Sequence, residues 1–313
     1  MLYENVIVDC DPGIDDAVAI LNLINTSNIN LNLISTVSGN LTIEETVKNA
    51  LKIVDVFGKP VGVEPPVSIG ASGPLVRQAV YASMAQGSKG LGGYQFSTPK
   101  RKPIELKGED AIYYYLKQHE LEGTTLICIG SMTNIARLLT EYGDAGKMIK
   151  KIIFMGGSKD EDGSTVPYRE FNVAFDPEAL KIVIKSGIPL VMVPMELGHF
   201  AFFDKEEIEK IRKANSVGKI IGKMFDKYHD FHMGKYGAAV HDSCAALYAI
   251  SPEIFKVEDA KIAIKYYKKD DGTEYGYIKC EVGAEKPNAQ VCVDVDIETF
   301  KKIIYGNIFS YNV

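Results

Sequence analysis

Hydrophobic and polar residues alternate with two different periods between residue 6 and residue 250. Short apolar runs rich in β-branched residues predict strands, and stretches with apolar residues at helical spacing predict helices. The predicted strands are residues 6–8, 31–37, 61–63, 125–129, 151–155 and 189–193. The predicted helices are residues 15–25, 43–57, 109–119, 134–141, 177–185, 205–214, 217–229 and 242–250. This alternation is typical of an α/β fold with an open, mostly parallel sheet flanked by helices.

The pattern changes after residue 255. Two strands predicted at residues 260–268 and 275–282 flank a Gly-containing turn, which indicates a small C-terminal antiparallel hairpin. A strand at residues 291–295 and a helix at residues 297–305 are predicted to follow. Because neither a repeat nor a low-complexity linker divides the sequence, we expect a single domain over residues 1–313.

Composition and charge point to a small-molecule partner. The formal net charge is −6, whereas nucleic acids and anionic membranes select basic surfaces, so we expect neither as a partner. The five cysteines have no CxxC spacing, which is typical of a reduced protein. The sequence also lacks a basic, apolar leader and a run of 18 apolar residues. We therefore expect a cytoplasmic protein.

Four carboxylates lie in one short segment directly after the strand predicted at residues 6–8. Asp9 and Asp11 are two positions apart at a strand end and so point the same way, and Asp15 and Asp16 follow a Pro-Gly turn in the first turn of a helix. Helix capping explains one or two such acids, but four in a cluster repel one another unless a cation lies between them. Oxygen ligands without Cys or His favour Ca²⁺ or Mg²⁺.

Two further segments carry candidate chemistry. Asp242 offers a distant metal ligand and His241 a general acid, although an N-cap and a surface residue are the alternative interpretation. Glu170 and Asn172 flank Phe171, an arrangement suited to a polyol that carries a flat base, although the segment also precedes an ordinary Asp-Pro helix start.

Several nucleotide and hydrolase motifs are absent from the sequence. It contains no Walker A sequence, no GxGxxG after a strand, no HExxH and no GxSxG. P-loop hydrolysis, dinucleotide cofactors, zincin chemistry and a nucleophile elbow are therefore unsupported.

Six segments together resemble the inosine-uridine preferring nucleoside hydrolases in order and spacing. They are DCDPGIDDAVAI at the first turn, residues 37–40, residues 129–136, residues 155–157, EFNVAFDPEA, and the pair His241 and Asp242. The resemblance implies an open, mostly parallel sheet and an enzyme that cleaves the N-glycosidic bond of ribonucleosides with one bound Ca²⁺. Relatives are commonly dimers or tetramers, so it also implies a homo-oligomer.

The resemblance implies a role for each matching residue. Ca²⁺ would be held by Asp11, Asp16, Asp242 and the backbone carbonyl of Ile129, and Asp11 would also be the general base for a water bound to the metal. The ribose hydroxyls would be bound by Asp15, Asn40, Glu170 and Asn172. The sugar and base pocket would be lined by Met155 and Phe171, and His241 would meet the leaving base.

The sequence departs from the family pattern at three positions. Gln86 stands where many members have a histidine, Ser164 stands where an Asn often contacts the 5′ hydroxyl, and Ser243 stands where Pro is frequent. We include Gln86 among the expected substrate contacts, although its identity leaves the preferred base open. Tyr228 is expected to make a second leaving-group contact, with plain helix packing as the alternative.

Two other functions remain open from the sequence. The Asp-rich turn also resembles that of haloacid dehalogenase-type phosphatases, which use Mg²⁺, but the later Gly-Asp pair at residues 143–144 is not followed by the second acid that they need. A non-catalytic protein that binds nucleosides and Ca²⁺ on the same scaffold is the other alternative. The presence of a candidate base, metal ligands and ribose ligands favours the enzyme.

Overall fold

A computed structural model describes residues 3–82, 86–87, 89–159, 166–231 and 237–311. These residues form a nine-stranded sheet. Its strands are β1 Glu4–Cys10, β2 Ile29–Thr36, β3 Val67–Ile69, β4 Thr124–Cys128, β5 Ile149–Met155, β6 Leu190–Val193, β9 Phe255–Lys268, β10 Glu274–Val282 and β11 Ala289–Val295. Their order across the sheet is β10-β9-β11-β6-β5-β4-β1-β2-β3. Strands β7 Phe202–Phe203 and β8 Ala238–Ala239 form a separate antiparallel pair.

The α-helices pack on both faces of the sheet. They are α1 Ile14–Ile24, α2 Ile43–Ile53, α3 Gly108–Gln118, α4 Thr133–Glu141, α5 Phe171–Phe175, α6 Pro177–Lys185, α7 Met195–Phe200, α8 Lys205–Arg212, α9 Ser216–Phe231, α10 His241–Ile250 and α11 Ile297–Phe309. Side chains alternate along each strand, so Val6 and Val8 enter the core on one face and Ile7 enters the core on the other. The predicted α/β fold is confirmed.

The C-terminal hairpin extends the parallel sheet. Strand β9 pairs antiparallel with both β10 and β11, and β11 pairs parallel with β6. The hairpin is thereby confirmed, although β9 begins at Phe255, earlier than predicted. The hydroxyl of Tyr275 donates to the carbonyl of Pro167 at 2.6 Å, which ties the hairpin to the loop before α5.

The prediction of a strand at residues 61–63 is wrong. Lys59–Val61 forms a 3₁₀ turn, and Gly62 follows in the left-handed region with φ +75°. The amide of Val63 then donates to the carbonyl of Gly58, so this apolar stretch closes a turn instead of pairing with a neighbour. The strand beside β2 is β3, which begins just after two prolines. The helix predicted at residues 43–57 ends its α-helical part at Ile53 and continues as a π turn.

Within the part of the chain that the structure describes, no helix has both the length and the apolar character needed to cross a membrane. The assignment of residues 1–313 to a single domain stays a prediction.

Candidate active site

The carboxyl ends of four parallel strands meet at one edge of the sheet. Asp11 follows β1, Asn40 follows β2, Ile129 follows β4, and Met155 is the last residue of β5. Strands β5, β4, β1 and β2 are neighbours in the sheet. Residues distant in sequence therefore converge around a cavity of about 280 Å³. The carboxyl edge of an open parallel sheet is the usual ligand site of such folds.

The Asp-rich turn is held by its own carboxylates. Asp16, in the first turn of α1, accepts hydrogen bonds from the amide of Gly13 at 2.8 Å and from the amide of Asp11 at 3.2 Å. These bonds satisfy backbone donors that the start of a helix leaves open. Asp16 therefore combines a capping role with a position inside the acidic cluster.

Asp11 has one engaged and one open carboxylate oxygen. Oδ2 accepts from the amide of Asn40 at 2.6 Å, while Oδ1 is buried without a hydrogen-bond partner among the described residues. Two glycines make room for this carboxylate. A Cβ added at Gly39 would lie 2.1 Å from Oδ2, and one at Gly130 would lie 3.1 Å from Oδ1. An acceptor desolvated in this way needs a positive ligand or a proton.

Asp242, in the first turn of α10, joins the cluster from the far end of the chain. Single carboxylate oxygens of Asp15, Asp16 and Asp242 all lie within 4.8 Å of one another. Burial and the neighbouring carboxylates raise the pKa of Asp16 to about 7 and raise the pKa values of Asp11 and Asp242 well above their usual range. These pKa shifts come from burial and from other acids, which is the electrostatic environment of a cation site.

Gln86 and Tyr228 form a hydrogen-bonded chain that ends at Asp15. The Tyr228 hydroxyl donates to Asp15 Oδ1 at 3.0 Å, and Gln86 Nε2 donates to that hydroxyl at 3.1 Å. Gln86 Oε1 accepts from the amide of Ile14 at 2.8 Å. Burial and the nearby Asp15 carboxylate raise the pKa of Tyr228, which keeps its hydroxyl protonated. Both side chains line the cavity, but their polar atoms also hold the wall together.

Glu170 caps the short helix α5. Its carboxylate accepts from the amides of Asn172, Val173 and Gly157 at 2.8 to 3.0 Å. The Nδ2 group of Asn172 donates to the carbonyl of Ile129 at 3.0 Å. The loop and helix that carry these side chains are thus fastened to the ends of β4 and β5.

His241, the first residue of α10, lines the cavity, as do Met155 and Phe171. Its ring packs edge-on against His199 of α7, with 5.7 Å between ring centroids. The structure thus brings every predicted site residue to the cavity or to the carboxylates beneath it. Ser164 lies outside the described residues.

Sequence reasoning missed four residues that line the cavity. They are Ala82, Tyr168, Arg169 and Met195. Tyr168 and Arg169 lie in a loop with no readable pattern, and Met195 begins α7, whose six residues are too few to show a helical period. No sequence signal marks these positions.

Buried carboxylates around a cavity at the carboxyl edge of an α/β sheet are an arrangement that suits a hydrolase of glycosidic bonds. The family model described as inosine-uridine preferring nucleoside hydrolase matches residues 6–302. The chain belongs to this family, and the resemblance inferred from its sequence is confirmed.

Individual relatives agree with the family match. The chain is 35% identical over 298 residues to the non-specific ribonucleoside hydrolase RihC of Klebsiella pneumoniae, with 95% of each chain covered. Among solved structures, the purine-preferring ribonucleoside hydrolase from Gardnerella vaginalis has a TM-score of 0.84 at 25% identity, with 98% of this chain and 99% of that chain covered. An inosine-guanosine nucleoside hydrolase has a TM-score of 0.87 at 24% identity over 100% of both chains, which supports the fold.

Proposed function

We propose that this enzyme hydrolyses the N-glycosidic bond of ribonucleosides, such as inosine or uridine, to ribose and free base in a Ca²⁺-dependent reaction. The observation that carries the proposal is a group of buried carboxylates beside the cavity: Asp15, Asp16 and Asp242 converge there, and the amide of Asp11 donates to Asp16. The relatives named as ribonucleoside hydrolases support the substrate class.

The donor set suits a hard divalent cation. We assign Ca²⁺ binding to Asp11, Asp16, Asp242 and the carbonyl of Ile129, with Asp11 Oδ1 as the buried acceptor that lacks any other partner among the described residues. Asp15 also lies within reach of Asp16 and Asp242, so it neighbours the same position. The carbonyl of Ile129 already accepts from Asn172, and its second lone pair leaves room for a further ligand. Oxygen-only ligation suits Ca²⁺ or Mg²⁺, and the family resemblance favours Ca²⁺.

Different side chains act on the attacking water, on the ribose and on the leaving base. Asp11 accepts the proton of the attacking water, and the surrounding carboxylates stabilise the positive charge that develops on the ribose. When bound, Ca²⁺ would offset the mutual repulsion of the carboxylates and would lower the pKa of a neighbouring water. Asp15 and Asn40 bind the 2′ and 3′ hydroxyls, and Glu170 with Asn172 binds the 5′ side. His241 donates a proton to the departing base.

Release of ribose tests the proposal directly. We would incubate the enzyme and Ca²⁺ with inosine, uridine, cytidine, adenosine and guanosine, with and without phosphate, and measure reducing sugar. We expect release that does not depend on phosphate and that ranks the five bases. An absence of ribose from all five would overturn the proposal and favour the non-catalytic nucleoside-binding and Ca²⁺-binding alternative, which nucleoside titration by calorimetry would then detect.

The phosphatase alternative has less support. The family that matches the chain is a hydrolase of nucleosides, and residues 143–144 lie between α4 and β5 as the start of a turn rather than as part of the cavity wall. The cytoplasmic location and the homo-oligomeric state, a dimer or a tetramer, stay predictions.

A further inference from the structure

The ring of His241 lies directly against the backbone of α7. A Cβ added at Gly198 would lie 1.9 Å from Nδ1 of His241 and 2.5 Å from Cε1. Real Cβ atoms essentially never approach within 3.0 Å of another heavy atom, so only glycine at position 198 allows the ring to occupy this place. His199, the next residue, packs edge-on against the same ring. Gly198 and His199 therefore form the surface of α7 that contacts the His241 imidazole, and we call this surface the seat.

The backbones on either side of this contact are bonded to each other. The amide of Val240, just before His241, donates to the carbonyl of Ala201 at 3.2 Å, just after α7. Strands β7 and β8 continue the connection through the pairs Phe202 with Ala239 and Phe203 with Ala238. Because these bonds fix the distance between α7 and the start of α10, an added side chain at position 198 displaces the ring rather than the helices.

The same helix also contributes to the cavity. Met195, at the start of α7, lines the cavity together with His241 and Asp242. The ring of His241 is thus held between a buried turn and the space that a substrate would occupy. A shift of the ring away from Gly198 is necessarily a shift relative to that space.

We propose that Gly198 is a positioning residue that, with His199, holds the His241 imidazole where it can protonate the leaving base. This inference rests on the proposed function, in which His241 is the acid. It predicts that a side chain at position 198 slows only those substrates whose leaving group needs a proton. A glycine that merely permits helix packing would instead affect all substrates alike.

The test compares two substrates across four variants. The variants are Gly198→Ala, His241→Ala, the double variant of these two, and the control Gly306→Ala, which places the same change in a helix where a Cβ meets no atom within 4 Å. Each is assayed with inosine and with p-nitrophenyl riboside, whose leaving group needs little protonation. General acid catalysis is worth about 100- to 10,000-fold, so partial displacement of the ring should cost about tenfold or more.

We expect Gly198→Ala to lower kcat for inosine by about tenfold or more while changing the rate with p-nitrophenyl riboside by less than about twofold. The double variant should be no slower than His241→Ala, since both changes remove the same contribution. Equal losses on both substrates, or multiplied losses in the double variant, would overturn the assignment of Gly198. Activity of Gly198→Ala on p-nitrophenyl riboside shows at the same time that the variant is folded.

His199→Ala provides a second variant that adds no volume, for the case in which Gly198→Ala does not fold. It should give a smaller loss with the same dependence on the leaving group, and an equal loss on both substrates would contradict the seat. Failure of the proposed function has a different signature: wild-type enzyme would release no ribose, or His241→Ala would lose equal activity on both substrates. Selective loss in His241→Ala without selective loss in Gly198→Ala rejects the inference alone.

Discussion

A single carboxylate oxygen distinguishes Asp11 from an ordinary buried acid. Oδ2 is bound by the amide of Asn40, and Oδ1 has no donor within the described residues. Asp11→Asn keeps the volume but removes the ability to accept a proton, so we expect kcat to fall by about 100- to 10,000-fold with the fold intact. The measurement is kcat for the best nucleoside, alongside far-UV circular dichroism.

Asp270→Asn is the matched control for this change, because Asp270 is exposed in the turn of the hairpin. It should keep full activity. A rate close to wild type in Asp11→Asn would remove Asp11 as the base.

Removing the hydroxyl of Tyr228 tests whether this residue supports substrate binding or only packs in its helix. The hydroxyl donates to Asp15, so Tyr228→Phe removes a hydrogen bond to a charged group while keeping the ring. Such bonds are worth about 1.5 to 3 kcal/mol, and we expect kcat/KM for ribonucleosides to fall by about tenfold or more. Steady-state kinetics of Tyr228→Phe and of the exposed control Tyr114→Phe measure this. Unchanged kinetics in Tyr228→Phe would leave packing as its role.

For individual residues, the sequence predicts clusters of charge better than it predicts contacts between side chains. The acids between residues 9 and 16 predict a cation site because their repulsion is visible in the sequence itself. The structure excludes Asp9 from the cluster, since its carboxylate accepts from Asn134, and brings in Asp242. The partner of Gln86 is not visible, since its Oε1 bonds to the amide of Ile14 across 72 positions. The sequence predicts that Gln86 contacts substrate, and its hydrogen bonds to Ile14 and Tyr228 add a role in supporting the cavity wall.

Among the elements, the short helix α5 is capped by Glu170, a proposed substrate-binding residue. Glu170 accepts three backbone amides at its start, two of them from α5 itself. Loss of an N-cap costs about 1 to 2 kcal/mol, so Glu170→Ala should lower the free energy of unfolding by about that amount and raise KM for ribonucleosides. Urea denaturation checks the stability. The control is Glu206→Ala, which removes an exposed glutamate from the first turn of α8 without removing a cap.

Stability unchanged from wild type in Glu170→Ala would show that α5 does not need this cap. If stability falls while KM stays constant, Glu170 caps α5 but does not make the proposed contact with the 5′ side of ribose.

Hydrophobic periodicity predicts the long elements but not strand β3 or the short helices α5 and α7. Buried strands such as β4 and β5 appear as continuous apolar runs, because helices cover both of their faces. The run at residues 61–63 also has β-branched residues, but Gly62 between them is left-handed and turns the chain. Helices α5 and α7 are shorter than two turns, so no period exists for the sequence to display.

For the whole molecule, metal removal is the most direct prediction. Buried acids with raised pKa values oppose folding at neutral pH, and a cation that binds only the folded state adds about 2.7 kcal/mol when its concentration is 100 times Kd. We expect EGTA to slow the enzyme and lower its Tm, and Ca²⁺ to restore both. Calorimetry with Ca²⁺ or Mg²⁺ added back distinguishes the two metals.

Asp242→Asn is a second variant for this test. Because it removes one proposed ligand, it should weaken the response of Tm to Ca²⁺. Full activity in a demonstrably metal-free preparation, with no change of Tm on adding Ca²⁺, would contradict the metal site.

The distance along the chain between Asp11 and Asp242 has a consequence for biosynthesis. A ribosome that has released only the residues up to β6 has delivered the parallel strands from β1 to β6 but neither Asp242 nor His241. The nascent chain can assemble a sheet at that stage, yet its cluster of acids is incomplete. Strand β11 must then pair with β6 before the hairpin, which pairs with β11 through β9, can join the edge of the sheet. Such long-range pairing is intrinsically slow. Because Asp242 and His241 also come late, we expect catalytic competence only after synthesis of the last third of the polypeptide.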